Sequence, residues 1–169
     1  MTDYLQGHDA IPPLKQQIEN RLNNLDYSIT ELLSAVDNFP ADKREKVLFI
    51  EWSLKDLLAH FSGWNLITIE DLKLLKQGRT NEIKPWFPDE EIDDFNAKHV
   101  NTRKDLLWEV VYSEFLKTLN DLYLEYRNLT TQWESQLGPN PTTPFESIKV
   151  DIEHIGKTHL ADIQKIAEE

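Results

Sequence analysis

The chain has 169 residues and a mass of 19.8 kDa, a size that suits a single domain spanning residues 1–169. Its 30 acidic and 18 basic residues give a net charge of −12, and this charge repels phosphate backbones and anionic lipid headgroups. We therefore expect neither nucleic acid nor a membrane as a partner. The absence of cysteine excludes disulfides and thiolate chemistry within the chain, and leaves His, Asp and Glu as strong metal ligands.

The N-terminal segment and the glycine content predict the location and the fold class of the protein. The N-terminal segment lacks the basic stretch and apolar core of a signal peptide, and no segment approaches the roughly 18 apolar residues of a membrane span, so we expect a cytoplasmic protein. Only five residues are glycine, whereas sheets need many tight turns. The composition favours an all-α fold.

The first predicted helix is marked by its apolar spacing. Apolar residues recur every three or four positions from Leu14 to Val36, which is the period of one buried helix face. Pro12 and Pro13 suit the first turn of this helix, where a missing amide proton costs no hydrogen bond. The chain then breaks at Phe39 and Pro40.

The second predicted helix has signals at both ends. Ser53 and Asp56 have the spacing of a capping box, and Gly78 suits the left-handed position that ends a helix. We predict a helix from about Ser53 to Gln77. The following loop, residues 79–88, contains two prolines around Trp86 and Phe87, which we interpret as its apolar anchors.

The second half of the chain predicts one short and two long helices. A short helix should follow Asp89, and a third long helix should begin near Lys104, because apolar residues from Trp108 to Leu129 again recur every three or four positions. Thr143 and Pro144 form a strong helix start, and isoleucines at helical spacing follow them. Four amphipathic helices bury their apolar faces against one another, so we predict a four-helix bundle with a short extra helix between the second and third long helices.

His60 and His159 are the candidate catalytic residues. His60 lies at the edge of the apolar face of the second helix, where we expect it to be half-buried. One interpretation is a packed histidine that forms a hydrogen bond with Asp56; the other is a metal ligand or a general base, because an imidazole titrates near neutrality. His159 is the one polar residue on the isoleucine face of the last helix, so its ring nitrogens need partners.

His154 is the candidate third ligand of a metal site with His60 and His159. In a regular helix, however, five residues separate His154 from His159 by about 140° around the axis, so that both rings would not reach one ion. A local π-bulge would turn one ring toward the other, and Gly156 between them tolerates such a distortion.

Two glycines inside helices are candidate residues for ligand binding. Gly63 and Gly156 each lie three residues from a histidine, and each costs about 1 kcal/mol relative to alanine. Close approach of another helix explains both; room for a ligand is the alternative. The acidic residues 89–94 are interpreted as a solvated helix start.

The segment Trp52-Ser-Leu-Lys-Asp-Leu-Leu-Ala-His60-Phe-Ser-Gly-Trp64 resembles the second-helix signature of the DinB/YfiT-like four-helix bundle superfamily. The later segment Ile92-Asp-Asp-Phe95-Asn96-Ala97, followed by Trp108-Glu-Val-Val, is similar to the ClbS/DfsB branch and to maleylpyruvate isomerase-like relatives. The resemblance covers about residues 11–166.

The resemblance implies a small bundle, often a homodimer, with a pocket where the second and fourth helices meet. Metal-binding members hold a divalent ion, here zinc or nickel, with one histidine after the second-helix signature and a His-x-x-x-His pair in the last helix. His60 and His159 match the outer positions, whereas the middle position falls on Ile155, beside His154. The candidate ligand-binding residues are the side chains around this pocket and the two glycines: Trp64, Gly63, Gly156, Phe95 and Asn96.

Two functions follow from these expectations. The first is an enzyme that detoxifies a small electrophilic compound by hydrolysis or thiol transfer, with a metal ion activating water or a thiolate. The second is a metal-free bundle that binds or sequesters a small apolar ligand between aromatic rings. In both, the partner is a small molecule.

Overall fold

The computed structural model of the chain describes residues 12–168, and this part of the chain is helical. It contains no β-strand, only an isolated bridge between Phe49 and Trp52. The α-helices, in chain order, are α1, Leu14–Asp37; α2, Leu54–Lys76; α3, Asp89–Asn101; α4, Trp108–Arg127; α5, Pro144–Glu153; and α6, Leu160–Glu168. A π-helical turn, His154–Thr158, joins α5 to α6, so that they form one last helical segment. The predicted all-α class is confirmed.

The long helices pack into a helical bundle around one apolar core. α2 packs along α4, and α1 packs against α4, α5 and α6, while α3 lies on α2. The α5–α6 segment contacts α2 at His60 and Phe61, and beside this contact a cleft opens between α2, α3 and the last segment. No helix of the described residues is both long and apolar enough to cross a membrane.

The helix ends follow the predicted signals. Ser53 Oγ accepts a hydrogen bond from the Asp56 amide at 3.2 Å, and the Asp56 carboxylate accepts one from the Ser53 amide at 2.9 Å, which completes the capping box. Gly78 has φ +71°, as the left-handed end of α2 requires. At α5, the Thr143 side chain accepts a hydrogen bond from the Glu146 amide. These contacts fix where the chain enters and leaves the helices that carry the site.

The third long helix begins later than predicted. α4 starts at Trp108, four residues after Lys104. The carbonyl groups of Lys104 and Leu106 accept hydrogen bonds from the buried Lys55 ammonium group, at 3.2 and 3.1 Å. Because these carbonyls turn toward a cation on α2, they are not available to a helical turn.

The loop between α2 and α3 is ordered, but its anchor is not the predicted one. Trp86 is 44% exposed and Phe87 is also exposed, whereas Ile83 is 4% exposed. The buried Asn140 side chain accepts a hydrogen bond from the Trp86 amide at 2.8 Å and donates one to the Lys84 carbonyl at 3.1 Å. The Asn140 side chain therefore holds the loop in place, and the Trp86 and Phe87 rings line the cleft.

The capping box predicts the effect of one substitution on stability. Ser53→Ala leaves the amides of the first turn of α2 without their side-chain acceptor, so we expect the free energy of unfolding to fall by about 1–2 kcal/mol in urea titrations at pH 7. Ser113→Ala, at an exposed position inside α4, is the matched control and should change it by less than about 0.5 kcal/mol. Equal effects of the two substitutions would contradict a role for the cap.

Candidate metal centre

Three histidines from two helical segments meet at one end of the cleft. His60 lies on α2, His154 is the first residue of the π-helical turn, and His159 directly follows this turn. One ring nitrogen of each lies within 4.8 Å of the others. The ring centroids form a nearly equilateral triangle with sides of 5.0, 5.4 and 5.3 Å. This arrangement could hold one metal ion through three imidazoles.

The π-helical turn brings the two histidines of the last segment to the same side. In a π-helix the hydrogen bonds join residues five apart, so side chains five apart point in similar directions. His154 and His159 are five apart and both face His60. The regular helix that would have kept the two rings apart is not present here, and the π-helical alternative is.

Gly156 allows the π-helical turn to approach α1. A Cβ atom at Gly156 would lie 2.5 Å from the Ser28 hydroxyl oxygen and 3.0 Å from Ser28 Cβ. Ser28 is itself buried, so it has little room to move. Close approach of a helix thus explains this glycine, and Gly156 is not among the residues that line the cleft.

The hydrogen bonds of Asn96 define the protonation of His60. Asn96 Oδ1 lies 3.0 Å from the Trp64 indole nitrogen, which can only donate, so this Asn96 atom is an acceptor. The same oxygen lies 3.0 Å from His60 Nδ1, which must therefore carry the proton. The lone pair of a neutral His60 is then on Nε2, facing the other histidines. The expected partner, Asp56, is instead engaged in the capping box.

The contact between His60 and His154 fits a shared ligand. Their Nε2 atoms lie 2.9 Å apart. With Nδ1 of His60 protonated, Nε2 of His60 is an acceptor, so His154 either donates a proton to it or turns its own lone pair toward a common cation. A hydrogen-bonded carbonyl on the far nitrogen of a ligating histidine is the usual support for a metal site.

The environment of the histidines keeps them neutral. His60 is 5% exposed, more buried than we predicted, and burial together with the neighbouring His154 and His159 lowers its pKa to about 3. Burial and the neighbouring His159 lower the pKa of His154 to about 4, and burial also lowers the pKa of His159. Neutral imidazole is the form that binds a metal, whereas a group with a pKa near 3 is a weak general base. The electrostatics favour a ligand role.

The cleft in front of the histidines has a volume of about 1250 Å³ and one aromatic wall. The Trp64 and Phe95 ring centroids are 4.7 Å apart, and those of Phe95 and Phe87 are 4.8 Å apart. At Gly63, which also lines the cleft, a Cβ would lie 2.5 Å from the His99 ring, so this glycine leaves space for a side chain of α3. The predicted ligand-binding residues Gly63, Trp64, Phe95 and Asn96 thus lie in one cleft with the three histidines. Phe87, predicted only as a loop anchor, also lines it.

Sequence reasoning missed two acidic residues of the cleft, Asp71 and Asp151. Asp71 is buried on α2, and burial raises its pKa to about 6. Burial also raises the pKa of Asp151 to about 6, although Asp151 accepts a hydrogen bond of 2.6 Å from the buried Tyr126 hydroxyl. One signal was available, since Asp71 follows Trp64 by seven residues and therefore shares its helix face.

Asn96 offers a test of the metal site that leaves the three ligands in place. Asn96→Leu keeps the approximate volume but removes the acceptor that orients His60, so we expect zinc affinity to fall about 10- to 100-fold in a chelator competition titration. Asn101→Leu, at the exposed end of α3, is the matched control. Unchanged affinity in Asn96→Leu would show that the orientation of His60 does not depend on this amide.

The raised pKa of Asp151 predicts how stability depends on pH. Because its pKa is about 6 in the folded chain and 3.8 ordinarily, Asp151 contributes stability below pH 4 that is lost as pH rises through 6. Asp151→Asn should therefore gain about 1–3 kcal/mol relative to the unsubstituted chain between pH 4 and 7.5 in urea titrations with chelator. The exposed Asp26→Asn serves as control. A pH-independent difference would contradict the shift.

The chain was compared with known proteins. Comparison with family models, with curated protein sequences and with solved structures gives no match. The function is therefore inferred from the geometry and chemistry of the cleft and its histidines.

Proposed function

We propose that the chain is a four-helix bundle of the DinB/YfiT-like type, related to the ClbS/DfsB branch, that detoxifies a small electrophilic compound. Two features support this proposal. The segment that resembles the family signature, Trp52 to Trp64, ends at the cleft and carries His60 into it. The segment around Phe95 and Asn96 lies opposite and supplies the hydrogen-bond partner of His60. Two of the three segments that carry the resemblance thus contribute residues to the site, and the third, at Trp108, lies outside the cleft.

The observation that carries the proposal is the triangle of His60, His154 and His159. Three neutral imidazoles with a supported tautomer suit zinc or nickel, which accept nitrogen ligands. Catalytic zinc sites combine three protein ligands with one open position, and all three histidines here line the cleft. A divalent ion in this position would lower the pKa of a water or thiol at the open position and polarise an electrophile.

Apolar aromatic rings pack against the three histidines. The ring of the buried Phe61 lies behind them, with its centroid 5.1 Å from that of His154 and 5.3 Å from that of His159. Trp52 packs against His60 at 5.0 Å between ring centroids. An apolar shell of this kind strengthens the electrostatic effect of a bound charge and fixes the ligand geometry.

The cleft fits a small molecule with an apolar body. A wall of aromatic rings is typical of ligand pockets, and the volume of about 1250 Å³ leaves room for a small molecule. The histidines, Asp71 and Asp151 are among the polar groups that line the cleft. Since the chain has no cysteine, a thiol for a transfer reaction must come from a second substrate. The two reactions that we propose, hydrolysis and thiol transfer, differ in whether water or this external thiol attacks the electrophile.

Metal content and thermal stability test the proposed centre. We expect untagged protein to contain close to one equivalent of zinc or nickel by elemental analysis, and saturating zinc to raise the Tm of the stripped protein by roughly 5–10 °C. His60→Ala, His154→Ala and His159→Ala should each abolish both effects. His99→Ala is the matched control, because His99 lines the same cleft outside the triangle.

The outcome also separates the enzyme from a binding module. Metal binding followed by turnover of a model electrophile, an epoxide with or without an added thiol, would support the enzyme. No metal and no change in Tm would overturn the metal centre and leave the aromatic cleft as a metal-free ligand-binding site. Metal binding with no effect of the three substitutions would place the ion elsewhere and contradict the proposal.

A further inference from the structure

The cleft has an uneven charge. Among the described residues that line it, seven are acidic and three are basic: Glu70, Asp71, Glu82, Glu91, Asp94, Asp151 and Glu153 against Arg79, Lys84 and Lys98. Arg79 is exposed and forms a two-point ion pair with Glu82, so its charge is already compensated. Because the whole chain has a net charge of −12, the field in the cleft repels anions and attracts cations.

Asp71 is the most deeply buried of the acidic residues that line the cleft. It is 7% exposed, it lines the cleft, and no Lys, Arg or His of residues 12–168 forms an ion pair with it. The Trp86 indole donates a hydrogen bond to it and the neighbouring Glu70 adds a like charge. A buried carboxylate without a cation is costly for a fold, so such a group points to a ligand that supplies the charge.

Asp71 remains ionised at neutral pH. Burial, which is the largest effect, raises its pKa to about 6, which still leaves the carboxylate mostly deprotonated at pH 7. The Asp151 carboxylate on the opposite side of the cleft is bound by the Tyr126 hydroxyl, and Asp71 is close enough to Tyr126 for its charge to contribute to the raised pKa of that phenol. Both walls of the cleft therefore carry negative charge near the same buried hydroxyl.

We propose that the ligand of this cleft carries an ammonium group that binds to the Asp71 carboxylate. The Trp64, Phe87 and Phe95 rings then hold its apolar part, and the faces of aromatic rings also attract a cation. The ammonium site depends on the proposed function in one respect only, namely that the reacting end of the ligand lies at the histidines. An anionic substrate or an anionic thiol is disfavoured in the same cleft.

Three ligands of one shape test this proposal. Phenethylamine, 2-phenylethanol and 3-phenylpropionate differ mainly in the charge of the terminal group, and their affinities can be measured by ligand-observed NMR at pH 7. We expect the amine to bind at least tenfold more tightly than the alcohol, and the acid to bind most weakly. Equal affinity of the amine and the alcohol would overturn the proposal.

Asp71→Asn should reduce the preference for the amine to less than about threefold, because the amide keeps the shape and loses the charge. Asp93→Asn, at an exposed position of α3 that does not line the cleft, should leave the preference unchanged. If Asp71→Asn does not fold, the Trp86 indole resonance in the unsubstituted chain gives the answer. This resonance should shift when the amine is added and should not shift when the alcohol is added. A shift with the alcohol and none with the amine would contradict the proposal.

The same titrations in chelator and in zinc separate this proposal from the proposed function. An amine preference in His154→Ala without metal would support the ammonium site even if the metal centre is wrong. Stoichiometric metal without an amine preference would overturn the ammonium site and leave the metal centre intact.

Discussion

The geometry of the candidate site depends on one departure from regular helix, the π-helical turn between α5 and α6. The π-helical turn contains one more residue than a regular turn, which rotates the following part of the helical segment about its axis. His159 is therefore on the same side of the segment as His154. Such a turn loses regular hydrogen bonds and is rare, which is why it occurs most often where function requires it. Here the cost is reduced by packing, since Gly156 lets the distorted turn approach Ser28 on α1.

A single oxygen atom connects the aromatic wall with the histidines. Asn96 Oδ1 accepts from both the Trp64 indole and His60, so the position of α3, the ring of Trp64 and the tautomer of His60 are coupled. Because the indole can only donate, this contact also fixes which end of the amide faces the site. The positions of the histidine at one end of the cleft and of the aromatic rings at the other are consequently coupled.

Much of the fold could be predicted from the sequence, because its signals are local. Apolar spacing and end residues such as Ser53, Thr143 and Gly78 predicted the helices. The spacing of His154 and His159 showed only that a shared site needs a departure from regular helix, and the π-helical turn supplies it. The later start of α4 could not be predicted, since it depends on the distant Lys55 ammonium group. Asp71 was missed for a similar reason: nothing near it in the sequence shows that the chain supplies no cation there. The metal and the substrate stay predictions.

The two sides of the cleft differ in how strongly the fold constrains their sequences. The histidines lie on segments whose neighbours form the core, whereas α3 packs mainly on α2, and Phe95 is the buried residue among its described side chains. Substitutions on the exposed positions of α3 therefore cost little folding free energy and still change the wall that a ligand meets. In evolution, or in a directed selection, the exposed positions of this helix can vary and reshape one wall of the cleft while the arrangement of the three histidines is retained.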